Sequence, residues 1–141
     1  MLSKKKIINI FLISLLLAFS ICISFFNLIA EEPGRGNFFA SIVFVTVIAG
    51  AELGAYFLLN RALSFFLFGY LVLLTLCFVI PNIFLALGGE YNAFVAVCSM
   101  VLTPFYGFFY ISKTWGIIAA IVLLLLDAVS VITTFDLIKR K

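Results

Sequence analysis

Apolar runs of about 20 residues, each closed by a short polar or glycine-containing break, recur along this chain. A helix of that length crosses a hydrocarbon core of roughly 30 Å. The pattern predicts five spans, at about 7–30, 37–59, 62–87, 91–111 and 116–138. The breaks are EEPGRG at 31–36, Asn60-Arg61, Gly88-Gly89-Glu90, and Ser112-Lys113 ahead of Trp115. Pro33 with Gly34 and Gly36 stops a continuing helix, while a two-residue break at Asn60-Arg61 makes spans two and three antiparallel neighbours. The expected fold is an all-α integral membrane protein, a polytopic helical bundle forming one membrane domain over 1–141.

Two features leave a four-span alternative open. A basic head, Lys4-Lys5-Lys6, precedes the first apolar run, as in a cleaved secretory signal. That run is longer than the roughly 7–15 residues of a signal's apolar region, and Leu28 stands where a small residue would precede Ala30, so a retained span is expected. The second feature is 91–111, which contains Thr103, Pro104 and Gly107 and then an aromatic string, Phe105 to Tyr110, suited to a head-group layer. Five spans with a cytoplasmic start put Lys139-Arg140-Lys141 outside, against the positive-inside bias. A re-entrant 91–111 would return both basic termini to one side, but its apolar length favours a fifth span.

Composition supports the membrane reading. Hydrophobic residues make up 66% of the 141 and charged residues 11%, against about 25% charged in a soluble domain. The net charge of +3 gathers at chain ends and span boundaries, which suits lipid head groups and gives no reason to expect nucleic acid. Cys22, Cys77 and Cys98 fall in separate spans with no CxxC spacing and are expected as small buried hydrophobes. With no histidine, a Ser-His-Asp device or a histidine metal site cannot form within the chain. No phosphate-binding glycine loop is present either, so neither catalysis nor a metal or cofactor is expected.

The candidate chemistry lies in the spans. Gly50 and Gly54 stand four apart, a small-residue spacing that lets a second helix approach closely. Glu52 lies between them, roughly 13 Å along a helix from Arg61, and Asp127 lies roughly 21 Å from Lys113. Desolvation disfavours the charged form of such acids, so each is expected to be protonated unless a cation or a partner supplies charge. Pro81 and Asn82, with Thr103 and Pro104, are candidate kinks or polar lining, and Thr75 and Ser99 are further polar groups near a path.

Two functions fit this pattern. The first is an accessory or regulatory subunit working through intramembrane helix–helix contacts, with a membrane-protein partner or a second copy supplying what the acids lack. The alternative is a small oligomeric transporter or channel using Glu52 and Asp127 for proton or cation coupling. The basic head and short connections suit a bacterial cytoplasmic membrane with the N-terminus in the cytoplasm.

Overall fold

The computed structural model describes residues 3–30, 32, 34–110 and 114–140. Glu31, Pro33, Ser112, Lys113, Lys141 and the side chains of Phe109, Tyr110 and Trp115, to which the sequence reading gave breaks or anchors, lie outside the described residues. The described residues form helices joined by short turns, and four of these helices are long and apolar enough to cross a membrane.

The first helix, α1 (Lys4–Ile29), begins earlier than its apolar run because Ser3 caps it, the hydroxyl accepting the Lys6 N–H at 3.4 Å. The lysines thus join its first turn, where their stems can follow the helix while the ammonium groups reach water. Helix α2 (Arg35–Phe57) starts where the Asn37 side chain accepts the Gly34 N–H at 3.0 Å. It ends in a tight turn, with Leu59 N–H bonded to the Tyr56 carbonyl and Asn60 N–H to the Ala55 carbonyl. This Schellman arrangement requires a left-handed residue, and Leu59 takes φ 52° where glycine is usual. Asn60 then caps α3 (Arg61–Ala86), its side-chain oxygen accepting the Leu63 N–H at 3.2 Å. Helix α3 runs through Pro81 and closes with the same arrangement, Gly88 at φ 86° in the left-handed position.

Residues 91–111 depart from the expected fifth span. They form a short helix, α4 (Ala93–Val101), followed by a 3-10 segment, Thr103–Tyr110. Pro104 is the cause. It has no N–H to give the Met100 carbonyl, so the α-helical ladder stops and the Thr103 hydroxyl takes that carbonyl at 2.5 Å. The last helix is α5 (Trp115–Lys139).

Contacts between helices fix their directions. Ser64 pairs with Thr134 and Thr75 with Asp127, so α3 and α5 are antiparallel. Asn9 pairs with Asn60 at one end of the bundle and Asn27 with Asn37 at the other. Residues 87–114 therefore leave α3 and enter α5 at the same end. The structure takes the four-span alternative, and the start of α1 and the end of α5 share an end with Arg61.

The broken segment is anchored by buried polar groups. Asn27 donates to the Thr103 carbonyl at 2.8 Å and accepts from Asn37 at 3.1 Å, while Ser41 Oγ accepts the Gly107 N–H at 3.0 Å. Gly107 is essential to this approach, since a Cβ there would lie 1.8 Å from the Asn37 carbonyl oxygen. The aromatic string is not confined to an interfacial belt. Phe105 and Phe108 are buried, Phe105 edge-on to Phe44 at 5.5 Å and Phe108 edge-on to Phe38 at 6.3 Å. They cover the Asn27–Asn37 end of a core that continues through Ile48, Leu67, Leu71, Leu74 and Leu123.

Two outcomes check this architecture. Reporters fused before residue 1 and after residue 141 should read the same compartment, and opposite compartments would restore the fifth span. Gly107→Ala should destabilise the protein by about 1–3 kcal/mol in detergent unfolding, because neither the Asn37 backbone nor the 3-10 segment can yield without breaking its anchors.

Candidate functional site: a polar seam between three helices

Helix α5 carries Asp127, Ser130, Thr133, Thr134 and Asp136 at spacings that return to one side of a helix. Each of these side chains bonds to α2 or α3. Nearest the middle, Thr75 on α3 donates to Asp127 Oδ2 at 2.6 Å. One turn on, Ser130 donates to Glu52 Oε1 at 2.5 Å and Thr133 to Glu52 Oε2 at 3.3 Å. The Ser64 and Thr134 hydroxyls meet at 2.8 Å. Closest to the termini, the Tyr56 hydroxyl donates to Asp136 Oδ2 at 2.7 Å, and Arg140 pairs with the same carboxylate at 2.8 Å. Arg140 also bonds the Tyr56 hydroxyl and lies over its ring.

The two candidate acids occupy different places in this seam. Glu52 is fully buried between α2 and α5, with a hydroxyl donor on each carboxyl oxygen. Asp127 is half-buried and turns toward α3, so the two acids bond to different helices and not to each other. Among the described residues the ion pair is Asp136–Arg140, near the chain's end, and every buried side-chain nitrogen and oxygen has a hydrogen-bond partner. In a low-dielectric interior, such satisfaction is what makes a buried polar group tolerable. The seam can position hydroxyl and carboxyl groups in a row, and Glu52 within it is shielded from any aqueous face.

The other candidates scatter. Gly50 is exposed and Gly54 half-buried, and nothing lies within 4 Å of where a Cβ would sit on either. They face away from Ile48, Glu52 and Ala55, which pack inward. Pro81, Asn82 and Thr103 line one groove of ≈ 580 Å³ between α3, α4 and the 3-10 segment, whereas Pro104 is buried beneath it. Asn82 donates back to the Phe78 carbonyl at 2.6 Å, beside the Cys77 carbonyl that Pro81 leaves without its helical donor. Of the polar groups expected near a path, only Thr75 reaches an acid. Ser99 bonds the Val95 carbonyl of its own turn at 2.8 Å, and Thr103 bonds Met100.

Residues outside the candidate set complete the site. Ser130 and Thr133 were visible as hydroxyls following Asp127, but only the structure places them on Glu52. Asn27, Asn37 and Ser41 carried no motif at all. The fold and seam define this protein as a helical membrane bundle with an internally satisfied polar interface. No family model, curated protein or solved structure matches the chain.

The seam predicts a specific non-additivity. Replacing Ser130 with Ala and Thr133 with Val leaves the Glu52 carboxyl buried without donors, and should destabilise the protein more than Glu52→Leu does. Combining all three changes should recover part of that loss, a coupling of about 0.5–2 kcal/mol by double-mutant cycle in detergent unfolding. Strict additivity would mean that Glu52 does not depend on those hydroxyls.

Proposed function

We propose that this chain is a small accessory or regulatory membrane subunit, working through helix–helix contact within the bilayer. The observation that supports it is the division of α2 into two faces. Its inner face is occupied by Ile48, Glu52 and Ala55, while its outer face presents Gly50 and Gly54 with no atom of the chain against them. Lipid tails gain little from a glycine face, but another helix gains close backbone approach and van der Waals contact there. The partner in this reading is a second membrane protein or a second copy of the chain. Glu52 does not supply the attraction, because the chain satisfies both of its carboxyl oxygens itself.

Orientation belongs to the same proposal. Among the described residues, Lys4, Lys5, Lys6, Arg61, Lys139 and Arg140 share one end of the bundle with one acidic side chain, Asp136, which favours the cytoplasmic side by the positive-inside bias. A cytoplasmic membrane with short loops fits this arrangement.

A transport reading keeps one observation in its favour, the half-buried Asp127 carboxyl held by the Thr75 hydroxyl roughly midway along α3 and α5. In that reading Asp127→Asn abolishes coupled flux and leaves assembly unchanged.

Extraction of the full chain into lipid nanodiscs, with mass analysis of what travels with it, separates the readings. Gly50→Leu with Gly54→Leu should reduce association with the co-extracted partner or second copy by about tenfold or more, while the chain's own unfolding midpoint hardly changes. Unchanged association would overturn the helix-contact reading.

A further inference from the structure

The end of the bundle that carries the start of α1 and the end of α5 holds a cavity of ≈ 370 Å³, lined by Lys5, Asn9, Leu59, Asn60, Arg61, Ala62, Leu137 and Arg140. Three of these are cations and two are amides, and none is acidic. Among the described residues the acid nearest this cavity is Asp136, engaged by Tyr56 and by Arg140, which itself lines the cavity, so Lys5 and Arg61 are the lining cations without a carboxylate partner there.

The lining is built by three separate chain segments. Lys5 and Asn9 are four apart on α1, so they face the same way. The Asn9 carbonyl oxygen is taken by Asn60 at 2.7 Å, which turns its own amide N–H groups into the available side of the residue. Arg61 gives one guanidinium nitrogen to the Arg140 carbonyl at 2.6 Å, tying α3 to the end of α5 and leaving the rest of its donor fork. Asn60, Arg61 and Ala62 bring the N-terminal turn of α3 to the wall, and its dipole is positive there. Leu59 and Leu137 add an apolar margin.

A lining that, among the described residues, carries cations and amides and no acidic side chain is complementary to an anion, and a guanidinium fork beside an ammonium matches phosphate oxygens. Basic pockets between helix ends at the membrane surface hold acidic lipid headgroups by this chemistry. We propose that the cavity binds a phosphate group, carried by an acidic phospholipid or free in solution, with Lys5 and Arg61 as its charged contacts and Asn9 as a neutral donor. Bound there, the group bridges α1, the α2–α3 turn and the end of α5, so occupancy stiffens the end where the chain has only short connections. This proposal does not depend on the subunit reading.

Native mass spectrometry of the full chain in detergent, titrated separately with phosphatidylglycerol, phosphatidylcholine and inorganic phosphate, tests it. Phosphatidylglycerol should bind about tenfold more tightly than phosphatidylcholine, and Lys5→Gln with Arg61→Gln should remove most of that difference. Lys4→Gln with Lys139→Gln removes the same charge away from the cavity and should leave the preference in place. If inorganic phosphate binds with the same sensitivity to the variants while the two lipids bind alike, the site takes the free anion and the phosphate chemistry stands. Equal losses in the lining and control variants, or no preference in any arm, overturn the proposal. Arg61→Lys keeps the charge without the fork and should bind at an intermediate level, which keeps the test readable if the double variant does not fold.

Discussion

A helix that breaks inside a bilayer survives only where each backbone group it frees finds a partner within the protein. Here the break is at Pro104, and the partners are Asn27, Asn37 and Ser41, three buried polar side chains on α1 and α2. The Thr103 carbonyl and the Gly107 N–H are the groups they hold. Remove that capture and these two groups would be left unsatisfied in hydrocarbon, costing several kcal/mol for each. With it, the chain between α3 and α5 turns back to the end it left. Everything about the ends of the molecule follows from that return, including the gathering of six described cations beside the start of α1 and the end of α5.

The contrast with Pro81 is instructive. Both prolines lie in apolar helical sequence, yet α3 continues through one and α4 ends at the other. At Pro81 the helix has completed five turns before the missing donor, and the ladder on either side holds the course. Pro104 follows a helix of only 9 residues, with Thr103 ready to cap it and Gly107 allowing α2 to approach. Both prolines remove a donor; at Pro104 the short ladder, the Thr103 hydroxyl and the close approach at Gly107 turn that loss into a break.

This explains what could be read from the sequence. The apolar run lengths specified the all-helical membrane class and located α1, α2, α3 and α5, because bilayer thickness translates directly into residue count. Run length is blind to hydrogen-bond capture, so 91–111 looked like a span although its backbone was committed elsewhere. The positive-inside bias contained the correction, and the basic tail at Lys139 and Arg140 pointed to an even number of crossings. Glu52 and Asp127 stood out as polar interruptions of apolar runs. Their partners did not: Ser130 and Thr133 have low information as single hydroxyls, and which acid they face depends on the relative rotation of α2 and α5. Gly50 and Gly54 were expected to pack, and in-chain packing instead falls on Gly107, where a close approach to α2 backbone demands it.

Rotation of α2 also links its two faces energetically. Residues 48, 52 and 55 point inward and residues 50 and 54 outward because they stand about 200° apart around a 3.6-residue helix. The Ser130 and Thr133 bonds to Glu52 fix that rotation more tightly than apolar packing alone, since an Ile or Leu at 52 would tolerate a shifted register while a carboxyl with two directional donors does not. An acid that costs desolvation and adds little net stability can still determine which surface the helix offers to the bilayer. In this reading Glu52 acts on the outer face through geometry: by holding α2 to α5, it holds Gly50 and Gly54 toward whatever lies beside the chain.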